Sequence, residues 1–512
     1  MSEPAAKKLS REEIAKLEIG RTDVSRPVQL VLSGLFLLLI FLYPLVQCVC
    51  HSPFGEWRRA ETVGRAIKAY ETAIEETSLL RKWLLPPVQY LVTGLFSLGN
   101  EKVIIGKNGW LFFSGDYEYL LDPGFLRPER LHKRSLAGVR PDPAGAIEDF
   151  SRQLKQRGIR LILLPVPAKP AIYPDMLGAG RSAGPCRNSS WSDFLARMRA
   201  AGVTVIDLTD DFAWMRRQGR EPYLKTDTHW TPEGMKLAAG RIAEVLSDGT
   251  PQKDSSPAVV RQTGTGDIAA MLKLPPGRTF FPPETVELTP VTGGPDRNSD
   301  ILLLGDSFTN IYSLEAMNWG ARSGLAEMLS VRLGRPVDSL VRNDAGAYAS
   351  RQMLTQELKR GSDRLRGKKA VIWEFAMREL ASGDWKMIGL PEVRSASGPA
   401  PDPSNSAQPG RADAVEAVVL AASAVPRPHS APYKDHVMSL HLALKNGKKV
   451  LVYTVSMKDN VWLAPAKSRP GDTVRLRLLP WSEYEGRYGG WNRSELDDEE
   501  LLVMEPFWGE FL

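Results

Sequence analysis

The stretch ILLLGDSFTN, residues 301–310, decides the fold. Four apolar residues followed by Gly-Asp-Ser read as a buried strand that stops at a tight turn. Gly305 permits the turn, and Ser307 is presented at the strand's end. If a helical turn begins there, its unpaired N–H groups face the place where an oxyanion would form. Gly, Asp and Ser are also common loop residues, so the triplet alone fits a plain loop serine equally.

Working outward, RLILLPVP (160–167), VTVIDL (203–208), PVDSLV (336–341) and KAVIWEF (369–375) are four more short apolar runs. Helical spacing fills the gaps at 143–157, 190–201, 232–247, 319–334 and 350–361. Strand alternating with helix predicts an α/β sandwich around a parallel sheet, over residues 101–385. One helix start is explicit: Thr231 caps, Pro232 takes the first position, and Met235, Ala238, Ile242 and Val245 face inward. Sites in such sheets lie beyond the C-terminal strand ends. That places Asp306–Ser307, the loop after Val341 and the segment Pro165–Lys169 at one end.

The second informative stretch is LKTDTHWTPEG, 224–234, with one of only six histidines in the chain. A serine hydroxyl is a poor nucleophile until an imidazole takes its proton, and that imidazole needs an orienting carboxylate. Asp227 and His229, two residues apart on an extended segment, project to the same side. A hydrogen-bonded surface histidine also fits this spacing. Metal binding fits it less well: no second histidine lies within helix or hairpin reach, His436 and His441 fall in another domain, and Cys48, Cys50 and Cys186 form no zinc pattern. Taken together, the two stretches give the order Asp, His, Ser.

The chain has 512 residues, too many for one core. Residues 1–26 are polar, a cytoplasmic tail; Pro27–Cys50 carries no charge and is long enough for an uncleaved transmembrane signal anchor. Arg21 and Arg26 favour the N-terminus inside, although Arg58 and Arg59 follow the span. Residues 51–100 read as a helical connector, whose apolar part 83–100 is expected to pack on the main domain. A Pro-, Ser- and Gly-rich linker covers 386–412, and short β-like runs with turns at NGK (446–448) and RPGD (469–472) predict a small all-β domain, 413–512, barrel or sandwich. A net charge of +6, spread without a dense Lys/Arg tract, argues against nucleic acid and fits an anionic polymer without selecting it.

GKNGWLFFSGD (106–116), PVPAKPAIYPD (165–175), TDTHWTPEG (226–234), GDIAAML (266–272), LLLGDSF (302–308) and VIWEFAMREL (371–380) follow one another as in the AlgJ/AlgX-type alginate O-acetyltransferases, which the chain resembles over roughly 100–385. The resemblance implies an SGNH-hydrolase-like three-layer sandwich, permuted so that Asp–His precedes Ser. It implies that Ser307 carries the acetyl group, His229 is the base and Asp227 orients it. Asn343 and Gly346 become candidates for the oxyanion and substrate loop. Lys169 and Tyr173 become candidates on the Pro-rich loop, where a lysine would attract a uronate carboxylate. Trp110, Phe112 and Phe113 read as core, and Trp373 and Glu374 as structure. The implied setting is the bacterial inner membrane with the catalytic domain in the periplasm, and an exopolysaccharide substrate. A membrane-bound O-acyltransferase drawing on acetyl-CoA would donate the acetyl group, with no metal or cofactor in the protein. The C-terminal domain departs from the family pattern. A polysaccharide acetyl esterase with the same three residues, and a non-catalytic polysaccharide-binding assembly subunit, are the alternatives.

Overall fold

The computed structural model describes residues 11, 25–42, 46, 78–178, 184–246, 259–343, 346–391, 414–428, 433–489, 491–496, 501 and 504–512. Residues 1–88 and 89–512 are two units.

In the second unit, five strands form a wholly parallel sheet: β1 (Arg160–Val166), β2 (Thr204–Val205), β3 (Ile301–Gly305), β4 (Asp338–Val341) and β5 (Ala370–Ala376). The order across the sheet is β2-β1-β5-β3-β4. The apolar runs are continuous because both faces are covered. Ile162, Leu164, Val166 and Ile372 pack on one face with Met235, Ala238 and Ile242 of helix α3 and Leu325 and Leu329 of α4. Leu161, Leu163, Val371 and Phe375 pack on the other with Ile147, Phe150 and Leu154 of α1, Phe194 of α2 and Leu354 of α5. These helices span Pro143–Lys155 (α1), Trp191–Ala200 (α2), Pro232–Leu246 (α3), Leu325–Leu333 (α4) and Tyr348–Lys359 (α5). Each fully buried Leu or Ile contributes about 2 kcal/mol, so the central strands have little freedom to shift. The result is the three-layer sandwich read from the sequence. The edge run 203–208 shortens to two residues in β2, and α4 starts six residues later than its spacing suggested.

The C-terminal part is a barrel. Val415–Ala422, His436–Leu444 and Lys449–Lys458 pair in sequence, and Lys449–Lys458 then pairs in parallel with Pro506–Phe511. Thr473–Pro480 joins Pro506–Phe511 back to Val415–Ala422 and closes the ring. Five strands closed in this order, with one parallel pair, have the connectivity of an OB-type barrel, which removes exposed sheet edges. Ala417, Val419, Leu440, Leu442, Val452 and Leu476 fill its interior.

Residues 386–391 of the expected linker lie against the parallel-sheet layers, where the Gln153 side chain bonds the backbone of Ile388 and Leu390. Residues 392–413 fall outside the described residues.

Of the expected anchor, Arg26–Leu37 is α-helical and Leu38–Leu42 continues as a π-turn, with side chains exposed. No helix among the described residues is long and apolar enough to cross a membrane. Most of the 1–26 tail and residues 51–77 of the connector lie outside the described residues. The apolar part of the connector is a helix, Leu79–Phe96, that packs in part: Tyr90 stacks on Phe280 at 4.6 Å, Gln89 and Thr93 are buried and Asn100 donates to the Met271 carbonyl, while Trp83, Leu84, Val88, Leu91, Leu95 and Phe96 are exposed.

Candidate active site

Ser307 follows β3 directly and opens a one-turn helix, Ser307–Asn310. Two carboxylates, Asp306 and the buried Glu374, hold the turn in a crossed clasp. Asp306 accepts from the N–H of Phe308 at 2.8 Å and of Ala376, at the end of β5, at 3.0 Å. Glu374 of β5 reaches back, its Oε2 accepting from the Asp306 N–H at 3.0 Å and the Thr309 hydroxyl at 2.8 Å. Burial, then the neighbouring Asp306, pushes the Glu374 carboxyl well above its ordinary value. Burial thus favours the protonated form of Glu374 beside Asp306.

His229 comes from a different kind of segment. No strand precedes it; a single bridge between Tyr223 and Trp230 marks the turn. Side chains hold the backbone instead. Glu284 accepts from the N–H groups of Lys225 and Thr226, both at 2.8 Å. Asp267 accepts from the N–H of Thr228 at 2.7 Å and from its hydroxyl at 2.8 Å. The Lys169 ammonium donates to the carbonyls of Leu111, Lys225 and Asp227 at 2.6, 2.8 and 3.0 Å. Ala269 N–H donates to the Thr226 carbonyl. Gly266 lies so close that a Cβ there would stand 2.1 Å from that carbonyl oxygen, which accounts for the glycine in GDIAAML. Thr231 caps α3 as expected, its hydroxyl accepting from the Gly234 N–H at 3.1 Å.

These two segments bring Ser307, His229 and Asp227 together. His229 Nε2 lies 2.8 Å from Ser307 Oγ, and Nδ1 lies 2.6 Å from Asp227 Oδ1. With Nδ1 protonated toward the carboxylate, Nε2 is free to accept the serine proton. Asp227 has donors on both oxygens: Oδ1 also takes the His229 N–H, and Oδ2 takes the Asp267 N–H at 3.0 Å and the Trp319 indole N–H at 2.9 Å. Burial raises the Asp227 carboxyl, but the charge of His229 and these hydrogen bonds outweigh it and hold the group well below the carboxylate range. Burial lowers His229, yet Asp227, and behind it Asp267 and Asp306, raise it above the ordinary imidazole value. Asp227, His229 and Asp267 offer ligand atoms within 4.8 Å of one another. The donors aimed at Asp227, an indole and two backbone N–H groups, compete with a cation there, so the cluster fits a proton relay better than a metal.

The other expected site residues are placed differently. Lys169 is wholly buried, walled by the rings of Trp110 and Phe112 at 5.2 and 5.4 Å, and faces backbone carbonyls rather than a substrate carboxylate. It opens the helical turn Lys169–Ile172 that follows β1, and its ammonium has one N–H for each of the three converging carbonyls. Burial lowers it to about 8, against the pull of Glu284, Asp227, Asp267 and Asp116. Tyr173 is buried against Trp110 at 4.0 Å and donates to Glu221 at 2.6 Å, away from Ser307's partners. Asn343 accepts from Asn310, on the helical turn that Ser307 opens, at 2.9 Å. Gly346 has φ +78° and sits where a Cβ would meet Glu379 Oε2 at 2.5 Å, so it serves the turn into α5. The sequence reading missed Asp267, Glu284 and Trp319, and took Glu374 for structure alone. Asp267 stood inside a quoted motif; Glu284 and Trp319 had no signal beyond being polar or aromatic in loops.

A groove of about 770 Å³ opens beside His229. Gln262, Thr263, Thr265, Asn318 and Trp319 line it from the sandwich side, and Tyr433, Lys434 and Asn460 from the barrel.

Parallel sheet, serine at a strand end and buried Asp–His pair define an SGNH-hydrolase-like domain. The family model described as "SGNH hydrolase-like domain, acetyltransferase AlgX" matches residues 103–377, more than half of the chain, and the chain belongs to that family. It is similar to the "Probable alginate O-acetylase AlgJ" of Pseudomonas fluorescens, at 28% identity over 372 residues, covering 70% of this chain and 88% of the relative. The protein of the same description from Pseudomonas aeruginosa is 29% identical over 301 residues, covering 56% and 72%. Among solved structures, the O-acetyltransferase domain of Pseudomonas putida AlgJ matches with TM-score 0.39 and 25% identity, over 55% of this chain and 93% of that one. The barrel lies outside the matched family residues.

Proposed function

We propose that the protein is a membrane-anchored, extracytoplasmic O-acetyltransferase that acetylates hydroxyls of an alginate-like exopolysaccharide through an acetyl-Ser307 intermediate. The observation that carries this reading is the continuous Ser307–His229–Asp227 hydrogen-bond chain, 2.8 and 2.6 Å. Family membership supports acetyl transfer, and the names of the relatives support alginate as the polymer. The uncharged run Pro27–Cys50 supports the anchor.

In the first half-reaction Ser307 Oγ attacks the acetyl carbonyl of the donor while its proton passes to His229 Nε2. The tetrahedral centre collapses, the donor's leaving group takes that proton, and acetyl-Ser307 remains. In the second, a sugar hydroxyl loses its proton to His229 and attacks the acetyl carbon; Ser307 leaves and takes the proton back. Asp227 holds the tautomer and stabilises the imidazolium in both halves. The Ser307 N–H, at the start of its helical turn, and the Asn343 amide are the donors we assign to the oxyanion. Lys169 and Tyr173 are assigned to holding the site. The polysaccharide runs in the groove between Gln262–Asn318 and Tyr433–Asn460. A membrane-bound O-acyltransferase supplies the acetyl group from acetyl-CoA, and the protein itself uses no metal or cofactor.

The test uses the full chain in detergent with 4-nitrophenyl acetate and a mannuronate oligosaccharide. Acetylated sugar is expected, with Ser307→Ala reducing it by at least about 10⁴-fold. Free acetate alone would identify an esterase. Full transfer by Ser307→Ala would refute the mechanism.

A further inference from the structure

We propose that Asp267 is a positioning residue, a second carboxylate partner of the base: it clamps the His229 turn through Thr228, and its charge acts on the imidazole. This rests on the reading of His229 as the general base.

The short helix Asp267–Met271 packs end-on against the turn. Its first residue grips the turn twice. The Asp267 carboxylate accepts from Thr228 N–H and Oγ1, and the Asp267 N–H donates to Asp227 Oδ2. Asp267 thus touches the residues on either side of Thr228's peptide and fixes the Asp227–His229 angle from outside. Its Oδ2 lies 4.0 Å from His229 Nδ1, and its side chain is only 8% exposed. At that distance, out of bulk water, a carboxylate and an imidazolium interact strongly.

The surroundings leave Asp267 as the adjustable charge. Asp227 is fixed in its ionised form by donors on both oxygens. Glu284 spends its oxygens on Lys225 and Thr226. Lys169 faces three carbonyls, Asp306 faces Phe308 and Ala376, and Trp319 is neutral. Burial first, then the neighbouring Asp227, lifts Asp267 to about 6. It is therefore neutral in acid and ionised near neutrality. Its ionised form favours imidazolium, so His229 becomes a free base at higher pH than it would with Asp227 alone.

The experiment follows 4-nitrophenyl acetate turnover by the full chain from pH 5 to 9. Asp267→Asn keeps an acceptor for Thr228 N–H but removes the charge. The acid limb of the rate profile is expected to move down by about one pH unit, with the high-pH plateau within about threefold of the parent. Asp267→Ala, which also orphans Thr228, is expected to show the same movement and a plateau lowered about tenfold. A purely structural role would lower the plateau and leave the limb in place, and that result overturns the proposal. If Asp267→Asn fails to fold, Thr228→Val tests the same point. It strips one donor from Asp267, keeps the carboxyl neutral to higher pH, and should move the limb the same way by less; an unmoved limb there overturns the proposal too. Ser307→Ala and His229→Ala run alongside. If they retain turnover, the reading of the base has failed, separately from Asp267.

Discussion

Two turns meet at the site, and they are built on opposite plans. The Ser307 turn grows out of β3, an interior strand of the sheet, so parallel pairing on both sides fixes its place before any side chain acts. Two carboxylates, Asp306 and Glu374, then lock it. The His229 turn has no strand behind it. Its backbone is a buried, irregular segment, and such backbone is stable only if each polar group finds a partner. Glu284, Asp267 and Lys169 supply those partners from distant parts of the chain. The nucleophile is thus held by sheet register, and the base by side chains. Errors in the first turn should be buffered by the sheet, whereas errors in the second should reach the chemistry directly.

Lys169→Met is the strongest way to break that contrast. The apolar side chain fills similar space, but three carbonyls lose their donor, at about 1–3 kcal/mol for each that finds no other. The turn should shift, and a misplacement near 1 Å costs roughly 10²-fold in turnover. We expect the rate of Ser307 acetylation to fall by about that factor while the melting transition stays cooperative. Unchanged acetylation would mean that the His229 turn holds itself.

Glu374 sharpens the other side. Its folded pKa lies above its unfolded value, so the stability it contributes is complete below the ordinary carboxylate range and is lost as pH rises through the raised value. Glu374→Gln mimics the protonated acid. It should leave turnover within about twofold and be relatively more stable than the parent as pH rises, read as a melting temperature a few degrees higher near pH 8. Glu374→Leu removes the acceptor of the Asp306 N–H and should cost about tenfold in turnover, less than Lys169→Met because β3 still places Ser307. A Gln variant as damaged as the Leu variant would show that the carboxylate works ionised.

The same contrast explains what could be read from the sequence. Strands β1, β3 and β5 announce themselves as apolar runs because burial on both faces demands them, and Ser307 is found by following β3 to its end. Asp227 and His229 were legible as a pair because their spacing is local. The residues that hold them were not. Lys169 reads as a solvated loop charge until three carbonyls, all of them more than fifty residues away, are seen to converge on it. Asp267, Glu284 and Trp319 likewise act across long separations with no periodicity to mark them. Asn343 and Gly346 fell in the right strand-end loop; Asn343 braces the turn that Ser307 opens, and Gly346 serves the turn into α5. The barrel was legible as β, but its closure depends on pairing Lys449–Lys458 with Pro506–Phe511, strands far apart in sequence.

The barrel supplies the smallest effect and a third kind of contribution. Lys434 is exposed on its wall of the groove and makes none of the hydrogen bonds described above for the two turns. If it meets a uronate carboxylate, it does so in solvent, where one ion pair is worth about 0–1 kcal/mol, or up to roughly fivefold in affinity. Lys434→Ala should therefore raise KM for the acidic oligosaccharide by about threefold, more at low salt than high, and leave turnover of 4-nitrophenyl acetate unchanged. The pairing of the two substrates makes the result informative. A rise in KM for the polymer alone places the barrel in acceptor binding. An equal loss on the small ester would mean that the barrel acts on the His229 turn, and that the base is held from one more direction than the three seen in the sandwich.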